Sequence, residues 1–163
     1  SGRERHGWGM RVGIIAIGRP GRGPEATLAD DYARRAGLAG RALGLGPVEL
    51  IDLEAKKAGM AAEADLILTT AEGAHLIACD ERGRSYGSRD FAGMIAGLRD
   101  QGERRLVFAI GGADGLDPAV RAAARSTLAF GPQTWPHALA RAMLAEQVYR
   151  AVTILAGSPY HRD

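Results

Sequence analysis

Three groups of residues carry types and spacings that could do chemistry. The first is Ile110-Gly-Gly-Ala-Asp-Gly-Leu116, which places Gly111, Gly112 and Gly115 directly behind the apolar run 106–110. Bare backbone after a buried strand presents N–H groups to a ligand at the carboxyl edge of a parallel sheet. The second is Gly131-Pro-Gln-Thr-Trp-Pro136, an irregular loop bounded by two prolines. The third is the tail Gly157-Ser-Pro-Tyr-His-Arg-Asp163. It sets a phenol, an imidazole that titrates near neutrality and a permanent cation side by side. Such a trio can accept a proton and stabilise an anion that forms in a reaction.

Several chemistries are excluded. The glycine spacing is G-G-x-x-G where a dinucleotide fingerprint needs G-x-G-x-x-G, and no acid stands in the region 131–136 where that fingerprint requires one. No G-K-[ST] is present for a P-loop. The single cysteine, Cys79, rules out a disulfide framework and a cysteine-rich zinc site. No two histidines and a carboxylate fall at ligand spacing, so no metal is expected. Cys79 has no base beside it and reads as a small buried side chain. His75 reads as a core residue, and His137 opens the last helix, where it caps or packs.

These groups must be positioned by the rest of a chain of 163 residues, of which 46% are hydrophobic and 25% charged. That is one soluble domain by length and composition, with no apolar run near the roughly 20 residues a bilayer span needs. Residues 1–9 lack periodicity and read as a tag remnant or disordered extension, with the single domain over 10–163 and Met10 as its natural start. A cytoplasmic location is expected. The formal net charge is +2, and Lys56 and Lys57 are the only lysines. The arginine that carries the remaining positive charge suits phosphates and carboxylates, which leaves an RNA partner open.

Apolar runs at 11–17, 48–53, 75–80, 106–110 and 128–130 read as strands. Helical patterns begin at Glu25 and run over 60–70 and 89–101, the last with Ser88 as its cap. Asp117-Pro118 is an N-cap with proline at the first helical position, leading a helix to about Arg125. The segment 81–87 reads as a polar turn. The last helix runs from Pro136 to Leu155, with Leu139, Met143, Ala151 and Leu155 on its apolar stripe and Arg141 and Arg150 off it. Glu146 and Arg150 are spaced for an ion pair. Alternating strands and helices predict an α/β fold with a mostly parallel sheet. The glycine loop and the proline-bounded loop then line one crevice.

Three signatures in order carry a resemblance: Ile110-Gly-Gly-Ala-Asp-Gly-Leu116, then Thr134-Trp-Pro-His-Ala-Leu-Ala-Arg141 with Glu146-Gln-Val-Tyr-Arg150, then Pro159-Tyr-His-Arg162. Asp80-Glu-Arg-Gly83 and Ser88-Arg-Asp-Phe-Ala92 add to it. Over residues 10–163 the sequence closely resembles the ribosomal RNA large subunit methyltransferase H family of the SPOUT superfamily. The resemblance implies a sheet flanked by helices with a deep C-terminal trefoil knot. It also implies a homodimer, S-adenosyl-L-methionine as cofactor, and methyl transfer to N3 of a pseudouridine in 23S rRNA on the ribosome. Neither a membrane nor a DNA partner is implied. By position, the cofactor contacts of the family fall on Cys79, Gly112, Gly131, Pro132, Gln133, Thr134, Trp135 and Pro136. The sequence departs from the family's usual residues at Cys79 (leucine), Ala113 (proline) and Ser158 (histidine).

A pyrimidine N3 is an imide between two carbonyls and must lose its proton to attack a methyl group. His161 suits the proton acceptor, Arg162 and Arg150 suit the imide anion, and Tyr160 can stack on or hydrogen-bond to the base. In a dimer the tail of one subunit could complete the pocket of the other. Two rivals stand beside this reading. One is a non-catalytic RNA-binding or ribosome-assembly factor with the same fold. The other is a tRNA methyltransferase of the superfamily, against which the absence of an appended RNA-binding domain argues.

Overall fold

The structure is a computed structural model that describes residues 9–19, 21–112 and 114–161. Of the expected N-terminal extension only Gly9 falls within it, and Arg162 lies outside the described residues. The elements are β1 (Met10–Ile17), α1 (Pro24–Gly40), β2 (Leu45–Leu53), α2 (Met60–Thr70), β3 (His75–Ser85), α3 (Ser88–Asp100), β4 (Arg105–Ile110), α4 (Pro118–Ala123), β5 (Ser126–Ala129) and α5 (His137–Ala156). The strands form one sheet in the order β2-β1-β4-β3-β5, every neighbouring pair parallel. Parallel strands need crossover helices, and these cover both faces. That is why β1 and β4 are nearly continuous apolar runs, buried on both sides.

On one face Ile14, Leu106 and Phe108 pack with Phe91 and Ile95 of α3 and with Leu144 and Val148 of α5. The Phe91 and Phe108 rings meet at 5.8 Å. On the other face Ile15, Val107 and Ala109 pack with Ile67 of α2 and Val120 of α4. The α2 bounds and the Asp117 cap agree with the sequence reading: Asp117 Oδ1 accepts from the Ala119 N–H at 2.8 Å.

Three local expectations are corrected. The segment 81–87 is not all turn, because β3 continues to Ser85 and pairs again with β5 at Arg84 and Ser85 after a register shift. A Cβ on Gly83 would sit 2.8 Å from the Leu128 nitrogen, so glycine is what permits that approach. Polar composition hid the strand because this end of it is largely exposed. Ser88 does not cap α3. Gly87 occupies the cap position, and the Ser88 hydroxyl donates to Gln147 Oε1 at 2.9 Å instead.

The third correction concerns α5, which packs on both α1 and α3. Its buried face mixes alanines (Ala140, Ala142, Ala145, Ala151) with Leu144, Val148 and Val152, while Leu139 is exposed. Arg141 is buried, with its guanidinium 2.8 Å from Asp52 Oδ2 at the end of β2. Among the described residues no helix is long and apolar enough to cross a membrane.

Phe108 is fully buried at the centre of the sheet. Phe108→Ala is expected to lower unfolding free energy by about 3–5 kcal/mol, read as a shift in the urea midpoint at unchanged slope.

Candidate functional site

The carboxyl ends of β4 and β5, with the middle of β3 where its register shifts, open into a cleft of about 800 Å³. Its size falls within the range of small-molecule sites. Two loops build it. At the end of β4 the chain doubles back so tightly that a Cβ on Gly111 would run into the Gly115 carbonyl group. Gly112 and Gly115 form an antiparallel bridge, Gly115 N–H donating to Gly112 O at 3.0 Å. Gly115 holds φ at +80°, a region L side chains rarely adopt. Gly112 lies over α2, where a Cβ would sit 3.3 Å from the Glu63 carboxylate.

The second loop leaves β5 through Gly131, at φ +93°, and enters α5 through Pro136. The Trp135 indole N–H donates to the Phe130 carbonyl at 3.1 Å and closes the loop on itself. Thr134 Oγ1 stands 3.5 Å from Glu81 on the extension of β3. Among the described residues no backbone–backbone hydrogen bond ties down 131–135, so the N–H groups of 131 and 133–135 and the carbonyls of 131–135 are available to a ligand.

The wall opposite contains a network that the sequence reading did not single out. Asp80, with its side chain 8% exposed, accepts from Arg82 through both carboxylate oxygens, at 3.1 and 3.2 Å, and from Arg121 at 3.2 Å. Those bonds, Arg82 foremost, hold the Asp80 carboxyl below the usual range. Arg121 also donates to the Leu116 carbonyl at 3.2 Å, which ties the glycine loop to β3. The spacing Asp80-x-Arg82 was visible, but nothing in the sequence pairs Asp80 with Arg121 on a later helix. Next to Asp80, burial pushes the Cys79 thiol up to about 12, so it stays neutral.

Of the residues expected at a cofactor site, Cys79, Gly112, Gly131, Gln133, Thr134, Trp135 and Pro136 line this cleft. Pro132 belongs to the same loop but is exposed and outside the lining.

The tail residues are brought together elsewhere. Glu146 Oε2 accepts from the Tyr160 hydroxyl at 2.8 Å and from Arg150 at 2.7 Å. Tyr160 packs edge-on against Tyr149 at 4.6 Å, and its hydroxyl is 3.4 Å from that of Tyr32 on α1. Burial, aided by the bonds to Tyr32 and Glu146, pushes the Tyr160 phenol up well beyond its usual range. The bond to Glu146 likewise raises the Arg150 guanidinium. His161 follows, partly buried, its Nδ1 without a partner among the described residues.

None of Arg150, Tyr160 and His161 lines the cleft of its own chain. Helix geometry gives the reason: Glu146 lies roughly 9 Å along α5 and about a third of a turn around from Ala140 at the cleft wall. Between the two lies a smaller cavity of about 450 Å³, which shares Phe130 and Gly131 with the cleft and reaches Glu146.

A parallel sheet with two backbone-rich loops at one carboxyl edge is the architecture of a ligand-binding α/β domain. The chain matches over residues 10–161 the family model described as "Predicted SPOUT methyltransferase". A probable methyltransferase from Bordetella pertussis Tohama I superposes with a TM-score of 0.52 at 14% identity, covering 93% of this chain and 99% of that one, which shows the fold alone. Two proteins named ribosomal RNA large subunit methyltransferase H are much closer in sequence. The one from Phenylobacterium zucineum (strain HLK1) is 67% identical over 154 residues, 94% of this chain and 100% of its own. The one from Caulobacter sp. (strain K31) is 64% identical over 154 residues, with the same coverage. The chain belongs to the SPOUT methyltransferases and, within them, to the ribosomal RNA large subunit methyltransferase H family.

With its thiol desolvated, Cys79 is expected to resist iodoacetamide at pH 8 in the folded protein and to react once urea unfolds it, as followed by intact mass. Rapid labelling of the native protein would contradict the raised thiol.

Proposed function

We propose that the protein is an S-adenosyl-L-methionine-dependent methyltransferase that methylates N3 of a pseudouridine in 23S rRNA on the assembled ribosome, acting as a cytoplasmic homodimer. The observation that carries this reading is the meeting of the glycine loop and the proline-bounded loop in one cleft, in a chain of this family. The trefoil knot belongs to the same proposal, as does the assignment of 10–163 as a single methyltransferase domain.

The cleft fits the cofactor on its own chemistry. Ile110, Leu116 and Phe130 offer apolar wall, the Cys79 thiol is neutral, and the backbone of 131–135 offers donors and acceptors to an adenine edge. Gly112, Gly131, Gln133, Thr134, Trp135 and Pro136 hold it there, with Pro132 shaping the loop. When bound, the cofactor supplies a methyl group made electrophilic by its sulfonium.

The remaining chemistry falls to side chains. His161 takes the proton from the imide N3 as the general base. Arg150 and Arg162 supply the positive charge that lowers the energy of the resulting anion. Tyr160, whose hydroxyl is engaged by Glu146, holds the neighbouring His161 in place and offers its ring to the base. Because Arg150, Tyr160 and His161 lie off the cleft of their own chain, they serve the cleft of the second subunit. Arginine contacts to phosphate make binding salt-dependent.

His161→Ala is expected to reduce methyl transfer to ribosomes by at least about 100-fold, while calorimetry shows S-adenosylmethionine bound with near wild-type affinity. Unchanged turnover would remove His161 from the mechanism. Binding of the cofactor by the wild type with no methyl group missing from rRNA of cells lacking the gene would favour a non-catalytic factor.

A further inference from the structure

We propose that Glu146 is the positioning residue for the reactive tail: one carboxylate that sets Arg150 and Tyr160 in a single geometry and is itself held by a file of polar side chains running to α3. The inference rests on the tail reading given under Proposed function and deepens it, giving Glu146, which that reading names only as the partner of Tyr160, a role of its own. It begins with the number of groups that converge. Glu146 Oε2 accepts from the Tyr160 hydroxyl at 2.8 Å and from the Arg150 guanidinium at 2.7 Å. Its other oxygen, Oε1, accepts from the Gln147 amide at 3.0 Å, and the Gln147 carbonyl in turn accepts from Ser88 Oγ at 2.9 Å. The carboxylate is thus fixed at both oxygens, and only 19% of its side chain is exposed. Charge-assisted bonds of this kind are short and directional, so the groups they join lose rotamer freedom together.

A second clamp closes on the same tail from α1. The Arg35 guanidinium lies 4.5 Å from the Tyr149 ring centroid, 5.4 Å from that of Tyr32 and 5.8 Å from that of Tyr160. It also donates to the Tyr149 hydroxyl at 3.2 Å. Cation–π contact on three rings packs the aromatic cluster on its outer side, while Glu146 anchors Tyr160 from the inner side. A segment that has left its helix ordinarily frays, yet Tyr160, three residues past the C-cap Gly157, is docked by side chains from two helices. Such a latch gives His161, one residue beyond Tyr160, a defined place. Catalytic groups act only when held in near-productive geometry, and the latch supplies that hold.

The test separates the latch from the catalytic role of the tail. Glu146→Gln keeps size and packing but removes the charge that both Arg150 and Tyr160 address. It is expected to lower kcat by about 10–100-fold with S-adenosylmethionine affinity unchanged, and Glu146→Asp is expected to recover part of the loss. Carboxypeptidase trimming past Tyr160, followed by mass spectrometry, reads docking without activity and is expected to run at least about 10-fold faster in Glu146→Gln than in wild type. If Glu146→Gln does not fold, Arg35→Met on the surface of α1 carries the same expectations in weaker form.

Wild-type kcat with wild-type trimming in either folded variant would overturn the latch. Faster trimming with unchanged kcat would keep the docking contact but overturn the positioning role. Full activity of a chain truncated before Ser158 would instead overturn the tail reading on which the inference rests, while the trimming result would still report on the latch.

Discussion

The close approach of Gly111 to Gly115 is the constraint on which the site depends. Any side chain at Gly111 would collide with the Gly115 backbone, so only glycine lets the chain reverse immediately after the central strand. That reversal brings Leu116 O within reach of Arg121, and Arg121 reaches Asp80 on the neighbouring strand. The glycine loop, β3 and α4 are therefore joined at one edge of the sheet, and the loop from β5 closes the opposite side. A rigid parallel sheet positions both loops, and its burial on two faces keeps the edge from shifting.

Electrostatics divide the molecule into a cleft and a tail. In the cleft, Asp80 pairs with Arg82 and Arg121, and with Glu81 and Asp114 also in the lining the wall holds no excess of positive charge, which suits an adenosyl group better than a phosphate. At the tail, Glu146 gathers a cation and a phenol into one half-buried cluster. The two are separated by the pitch and turn of α5 within a chain. A dimer in which each tail serves the other subunit's cleft reconciles family membership with this separation.

What was legible in the sequence is what local chemistry determines. Glycine and proline specify backbone geometry where they stand, so both loops and the Asp117 cap were readable, and apolar runs as continuous as 106–110 announce central strands. The rest depends on partners distant in the chain. The outer half of β3 is polar and became a strand because β5 pairs with it. Arg141 is buried because Asp52, on a strand at the far side of the sheet, meets it. The docking of Tyr160 requires Tyr32 and Arg35 on the first helix, a contact that no spacing within the tail encodes.

The central claim is that cleft and tail are halves of one site contributed by two copies of the chain. Co-expressing a cleft variant, Gly111→Val, with the tail variant His161→Ala tests it most directly. Each variant alone is expected to be inactive on ribosomes. Random mixing places one intact site in half of the dimers, so the mixture is expected to regain roughly a quarter of wild-type activity. A mixture no more active than either variant alone, with dimers confirmed to have exchanged, would contradict the account.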